Sequence, residues 1–495
     1  MSPDATARRS SPRRALIAAC IGNAVEWYDF ALYGAFATVL ARTYFPSADT
    51  QASLLATFAV FSTAFIVRPV GALLLGRLGD RRGRRQVLAT AIILMSLATA
   101  GVGVLPGYRS IGLLAPVLLV LLRVAQGLSA GGEASAASAF VVEYAPAGRR
   151  GWYGGWIWAT FGLGLGAGIG AAALLTWRLP PATLASGGWR LAFLVAVPMG
   201  LVGLYLRLRL DETPRFRAVQ RAQAVAQRPL REAIRAYPGR MLVGFALVAA
   251  ASLSFNTFFI FLPSHLATEL GIPLPRALAG ALLGMAVMVA LSPALGHLSD
   301  RVGRKPLLVA ATLSLLGLTV PIYLLIREGG PVGLPLGYLL VGVVLSGFVL
   351  PTLLSELFPT RMRSSALSIT YGVASALFGG SAPLVQALLV RRAGNPLVPA
   401  FYATAVALVA AVGALRLPET AFRPLDADEP SVAARGRRSP VSGRARGVPD
   451  SHAAAHPDRR PGRPDGRGGQ VPGRRAGGRD NRGQAEPPAA RLPRE

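Results

Sequence analysis

The chain has 495 residues, of which 52% are hydrophobic and 15% charged, with a mean hydropathy of +0.45, which is membrane-protein composition and excludes an ordinary soluble domain. Its formal net charge of +28 would suggest nucleic acid in a soluble protein, but the basic residues lie in short loops between apolar runs and in a tail, so no nucleic-acid partner is expected. The single cysteine, Cys20, excludes an internal disulfide and a cysteine zinc site, and His265, His297, His452 and His456 lack metal-ligand spacing, so no metal or other cofactor is expected.

The N-terminus is basic (Arg8, Arg9, Arg13, Arg14) and then apolar, like a signal peptide. No small-residue cleavage site closes the run, and Glu26 and Asp29 interrupt it, so it reads as an uncleaved first span. A span needs about 20 mostly apolar residues. Twelve such stretches occur, near 16–41, 53–76, 86–105, 113–142, 152–176, 190–208, 241–263, 277–297, 306–326, 334–357, 364–390 and 398–416. Arginine concentrates in the N-terminus and the even-numbered loops, which predicts that both termini are cytoplasmic. The expected fold is an all-α membrane protein of two pseudo-symmetric six-helix bundles, 16–208 and 241–416, after a short N-terminus over 1–15. A cytoplasmic linker over 209–240 joins the bundles, and a cytoplasmic tail over 417–495 follows them. That tail is rich in Arg, Pro and Gly and from about 423 has no apolar periodicity, so it is expected to be mostly disordered.

Two short polar loops repeat. Gly76-Arg-Leu-Gly-Asp80-Arg-Arg-Gly83-Arg84-Arg85 returns 220 residues later as Gly296-His-Leu-Ser-Asp300-Arg-Val-Gly303-Arg304-Lys305. Glu143-Tyr-Ala-Pro146-Ala-Gly-Arg149 is echoed 213 residues on by Glu356-Leu-Phe-Pro359-Thr-Arg361. One basic hairpin is unremarkable; two pairs at equivalent places imply an internally duplicated chain.

These residues resemble the major facilitator superfamily, in which such paired loops follow spans 2 and 8; Arg123-Val-Ala-Gln126-Gly127 resembles the family's span-4 motif. More narrowly, Gly22-Asn-Ala-Val-Glu26-Trp-Tyr-Asp29-Phe, Gln126-Gly-Leu-Ser-Ala-Gly-Gly-Glu133, Gly188-Trp-Arg190 with Asp211-Glu-Thr-Pro, and Glu356-Leu-Phe-Pro look like the metabolite:proton symporter family, which includes proline/betaine, α-ketoglutarate, citrate and shikimate carriers. The resemblance covers roughly residues 15–422. It implies a cytoplasmic gate braced by Asp80 and Asp300 within loops that also hold Gly76, Arg81, Gly83, Arg84, Gly296, Arg301, Gly303 and Arg304. Glu143, Arg149, Glu356 and Arg361 are the implied partners.

An ionisable side chain inside hydrocarbon is costly unless paired or wet, so it marks function. The N-half has five (Glu26, Asp29, Arg68, Arg123, Glu133), whereas the C-half spans have almost none away from their ends. Glu26 and Asp29 share one helical face, and Glu133 sits among small residues that let helices approach. Each acid is read either as a proton-coupling group or as a fixed partner of Arg68 or Arg123. The two arginines are candidates for a substrate carboxylate through their planar guanidinium forks, with a structural role for Arg68, beside Pro69, as the alternative. Tyr28, with Trp27, Phe30, Trp156 and Trp158, offers either an aromatic cage for a quaternary ammonium or plain helix packing. Asn256 and Tyr371, with Ser254, Thr257 and Ser375, complete a midplane site or make helix–helix hydrogen bonds. The Gly162–Gly170 run mimics a dinucleotide loop but lies inside a span, where close helix packing explains it.

The expected function is proton-coupled uptake of a small organic acid or zwitterionic osmolyte, such as a dicarboxylate, proline or betaine, by alternating access. The proton gradient supplies the energy and no cofactor is required. A proton-linked efflux antiporter and a non-transporting membrane sensor are the alternatives; no nucleophile–base or metal constellation suggests an enzyme. The expected setting is the cell membrane, as a multi-pass monomer working with protons, a small metabolite and the bilayer.

Overall fold

The computed structural model describes residues 12–209, 211–221, 229–269 and 271–425. Within them, twelve helices are long and apolar enough to cross a membrane. Spans 1 to 6 are Pro12–Ala35, Ala56–Arg82, Arg84–Val104, Leu114–Tyr144, Arg150–Arg178 and Leu184–Leu208. Spans 7 to 12 are Pro238–Ala267, Pro275–Val302, Arg304–Glu328, Gly330–Leu357, Arg363–Ala393 and Val398–Arg416. Helix is what apolar solvent demands, because each backbone N–H and C=O is then satisfied within its own segment. The first helix ends at Ala35, six residues before its predicted end, and a separate helix, Ala37–Tyr44, continues after Phe36. In the linker, helices Pro214–Arg221 and Pro229–Ala236 flank the undescribed residues 222–228.

Apolar side chains such as Ile66, Leu97 and Leu121 remain exposed on the outer surface of the bundles, the face that lipid covers. Inside, small residues set helix spacing. A Cβ at Gly127 or Gly131 of span 4 would strike the carbonyls of Ala64 or Arg68 of span 2. Gly164 and Gly168 of span 5 admit span 1 at Ala24 and Tyr28 in the same way, so the glycine run of span 5 is a packing surface. The two halves meet through matching pairs, span 5 on span 8 at Gly151, Gly155 and Gly296, and span 2 on span 11 at Gly76 and Gly372. Wide turns interrupt span 7 at Thr257–Phe261 and span 11 at Ala376–Gly380.

The repeated loops are the sharp corners between spans 2 and 3 and between spans 8 and 9. Each turns on a glycine with almost the same conformation: Gly83 at φ 103°, ψ 162° and Gly303 at φ 108°, ψ 162°. L-residues with a side chain rarely adopt that geometry, which is why both copies have glycine there. Residues 417–425 are ordered, with Leu417 and Leu425 buried, so the folded part runs past the end of span 12. The disorder expected further on falls on residues 426–495, outside the described ones.

Candidate functional site

The charged ends of the spans assemble into two latches. In the first, the backbone N–H groups of Ser364 and Ser365, at the start of span 11, donate to Asp80 at 2.9 and 2.7 Å. A carboxylate at a helix N-terminus meets both free donors and the positive end of the dipole. Arg84 donates to the carbonyls of Gly79 and Thr360 at 2.9 and 2.6 Å and stands 3.4 Å from Glu143. Arg363 pairs with Glu143 at 2.6 Å, and Thr213 donates to the other oxygen of that carboxylate at 2.5 Å. Glu212 receives the N–H groups of Arg84 and Arg85, both at 3.1 Å.

The second latch repeats the first residue for residue. The N–H groups of Gly151 and Trp152, at the start of span 5, donate to Asp300 at 2.8 and 3.0 Å. Arg304 pairs with Asp300 at 2.8 Å and with Glu356 at 3.2 Å, and Arg150 lies 3.5 Å from Glu356. Thr420 donates to Glu356 at 2.7 Å, and Glu419 receives the N–H groups of Arg304 and Lys305 at 2.8 and 3.1 Å. Each latch ties the loop of one half to a helix start of the other.

The environments of the two outer glutamates shift their carboxyls in opposite directions. Burial pushes the Glu212 carboxyl above the usual carboxylate range, and its N–H donors and the Arg84 charge only partly oppose this. Burial also acts on Glu419, but the N–H groups of Ala421, Arg304, Lys305 and Thr420 outweigh it and hold that carboxyl below the usual range.

The expected gate residues are therefore brought together, with exceptions. Arg149 is exposed and caps span 5; its neighbour Arg150 makes the ion pair. Arg361 pairs at 3.4 Å with Glu232 of the linker, and Arg363 reaches Glu143 instead. The active arginine is in each case the first residue of its helix, where its side chain turns inward. Arg81 and Arg301 lie on the exposed side of their turns. Glu212 and Thr213 belong to the Asp211-Glu-Thr-Pro motif but carry no gate role in the sequence reading, and Glu419 and Thr420 do not figure in it, although Glu-Thr after span 6 and Glu-Thr after span 12, 207 residues apart, are a third repeat.

In the N-half interior three buried ion pairs lie along spans 1, 2, 4 and 6. Glu26 pairs with Arg68 at 3.0 Å. Asp29 pairs with Arg123 at 2.8 Å, and its other oxygen receives Gln126 Nε2 at 2.7 Å. Gln126 accepts from Arg123 at 2.7 Å and donates to Thr99 at 3.1 Å. Glu133 pairs at 2.6 Å with Arg207, which also donates to the carbonyls of Ala18 and Leu88. Arg207 was missed because it lies one residue from the end of span 6, where an arginine normally signals only the membrane surface. Its reach back to Glu133 needs the fold.

Aromatic rings surround the first two pairs. The Arg68 guanidinium lies 4.7 Å from the ring centre of Phe30 and 4.4 Å from that of Phe65, and Arg123 lies 3.7 Å from that of Tyr33. Trp27 meets Phe161 at 5.0 Å and, across the halves, Phe255 at 5.5 Å. Trp158 donates to Leu345 O at 2.9 Å, a second bridge between the halves. Tyr28 is not in this group: its hydroxyl donates to Ala192 O at 2.8 Å, which turns the ring into the span 1–span 6 packing of the N-half. Asn256 spends its amide on Ser252 O, one turn back, at 2.8 Å. Tyr371 of span 11 lies within electrostatic reach of Arg68 and Glu26. Among the described residues no group of three His, Cys, Asp or Glu could hold a metal ion.

The sequence model of the Major Facilitator Superfamily matches residues 19–383. A glycine betaine/proline/ectoine/pipecolic acid transporter of Dickeya dadantii is 38% identical over 439 residues, covering 85% of this chain and 86% of its own. A proline/betaine transporter of Escherichia coli is 36% identical over 437 residues, with the same two coverages. An ectoine/proline transporter of Corynebacterium glutamicum is 35% identical over 436 residues, again covering 85% and 86%. Among solved structures, a proton:xylose symporter bound to 6-bromo-6-deoxy-D-glucose superposes with a TM-score of 0.70 at 19% identity, over 86% of this chain and 99% of that one. That likeness establishes the fold.

Proposed function

We propose a transport cycle for this chain, which belongs to the Major Facilitator Superfamily and is a multi-pass transporter of the cell membrane, not an enzyme. It takes up small zwitterionic osmolytes, of the kind named for its relatives, in symport with protons and by alternating access. The relatives' names support the substrate class, and a dicarboxylate recedes accordingly.

One observation carries the coupling mechanism: the Asp29–Arg123–Gln126–Thr99 cluster, fully buried in a half that faces uncharged C-half spans. Asp29 is the proton-coupling acid. Protonation removes its charge and loosens Arg123, and the neutral cluster then passes through a closed, dry state at lower cost. The positive-inside rule places the arginine-rich latches on the cytoplasmic side. With both latches formed, the cytoplasmic entrance is shut, so substrate enters from outside and the latches part to release it.

Reconstituted protein in proteoliposomes, given an imposed inward proton gradient, tests this. Glycine betaine and proline are expected to accumulate, and collapsing the gradient should stop them. Absence of gradient-driven uptake for every zwitterion and organic acid in a panel with α-ketoglutarate, citrate and shikimate overturns symport. Export from everted vesicles would point to an antiporter.

A further inference from the structure

We propose that the Glu26–Arg68 pair is the seat of a zwitterionic ligand, with the ligand's carboxylate on the edge of Arg68 and its cationic group at the open oxygen of Glu26. The assignment rests on the transport reading above. It gives Glu26 a substrate-binding role and leaves proton coupling to Asp29.

The three buried pairs differ in what they leave unmet. Asp29 has both oxygens bonded, so neither is left without a partner, although Arg123 keeps Nε and Nη2 open. Arg207 has all three nitrogens bonded, so it offers nothing to a carboxylate, although Glu133 keeps Oε2 open. Glu26–Arg68 is joined by a single hydrogen bond, leaving Glu26 Oε2 and Arg68 Nε without partners, on side chains that are 1% and 2% exposed. Of the three, it alone presents both an open acceptor and an open donor. Unpaired buried polar atoms are costly, and a ligand carrying one charge of each sign relieves both.

The surroundings favour the same chemistry. Phe30 and Phe65 flank the Arg68 guanidinium, which directs a carboxylate to its edge. Trp27 of span 1 meets Phe255 of span 7 edge to face at 5.5 Å, an aromatic pair that joins the two halves one residue along from Glu26. Tyr371, within electrostatic reach of both charges, adds a group from the C-half. The site has one charge of each sign and so is neutral. A dicarboxylate would set two negative charges against a single guanidinium edge, with Glu26 opposing them.

Glycine betaine and its isostere 3,3-dimethylbutyrate share the carboxylate and differ only at the head, where a neutral carbon replaces the cationic nitrogen, and they isolate the Glu26 contact. In the intact protein in proteoliposomes, competition against radiolabelled glycine betaine is expected to show the isostere binding at least roughly 30-fold more weakly. In Glu26→Gln the difference should shrink to about threefold. An isostere that competes as well as glycine betaine in the unmodified protein overturns the proposal without need of any variant. So does a Glu26→Gln protein that transports and keeps the full ratio. If the unmodified protein transports no zwitterion at all, the transport reading falls, and this proposal with it. Transport of glycine betaine with an unchanged ratio removes only the Glu26 assignment.

Discussion

The two halves of this protein are near-copies at their charged ends and unlike in their interiors. At the ends, Asp80, Arg84, Glu143, Arg363, Glu212 and Thr213 have the counterparts Asp300, Arg304, Glu356, Arg150, Glu419 and Thr420, with the same contacts. In the interiors, the N-half holds three buried ion pairs, while the C-half spans have no charged residue away from their ends. The contrast separates two tasks. A rocking motion must release and re-form contacts on both sides of a pseudo-twofold axis, so symmetry is useful there. Charge binding needs one site, and a second set of buried charges would add desolvation cost with nothing to bind.

The largest effects are expected where the interiors differ. Asp29→Asn should abolish accumulation against a gradient yet leave exchange of labelled for unlabelled substrate across the membrane, since only the proton step is lost. Counterflow beside gradient-driven uptake in the same vesicles checks this, and an Asp29→Asn protein that still accumulates substrate removes Asp29 from coupling. Arg207→Met should destabilise the protein by about 3–5 kcal/mol, because it leaves the Glu133 charge buried and alone. Adding Glu133→Leu should recover most of that loss in detergent melting curves. No recovery would mean that Arg207 acts mainly through the carbonyls of Ala18 and Leu88.

The latches test the symmetric side. Asp80→Asn and Asp300→Asn should each weaken closure by about 1–3 kcal/mol through loss of charge-assisted bonds to a helix start. Labelling of a cysteine introduced near the cytoplasmic entrance, in a Cys20→Ser background, should rise equally in both. A strongly unequal rise would show that the copies no longer share the load.

The sequence makes the symmetric half of this contrast easier to read. Asp80 and Asp300 sit in ten-residue loops whose spacing survives duplication, so their position and partners could be anticipated. The motifs point to Arg149 and Arg361, whereas Arg150 and Arg363 make the contacts, because a one- or two-residue difference at a helix start depends on which way the first turn faces. Glu419 and Thr420 were lost in a tail of unstructured composition, since a two-residue motif carries little signal by itself. In the interior, the presence of charges was legible but their pairing was not. Glu133–Arg207 joins spans 4 and 6 over 74 residues, and Tyr28 turned out to face the bundle packing.

The smallest effect probes a flaw in the symmetry itself. Glu212 and Glu419 cap equivalent corners, but burial holds the first above the usual carboxylate range and backbone donors hold the second below it. Because the folded state raises the affinity of Glu212 for its proton, the stability linked to that group is full below its unfolded value and is lost as pH rises through the folded one. For Glu419 the sign reverses: its contribution is present above the unfolded value and is lost as pH falls through the lower folded one. At pH about 8, Glu419→Gln should therefore lower the melting temperature, whereas Glu212→Gln should leave it unchanged or raise it. Solvent reaches Glu419, so screening should keep its effect to a fraction of a kcal/mol. As pH falls below the ordinary carboxylate range and through the lowered folded value of Glu419, the two variants should converge on the parent protein. Equal losses from both at pH about 8 would mean that the outer glutamates work as identical charged caps and that the symmetry of the latches extends to their charge state.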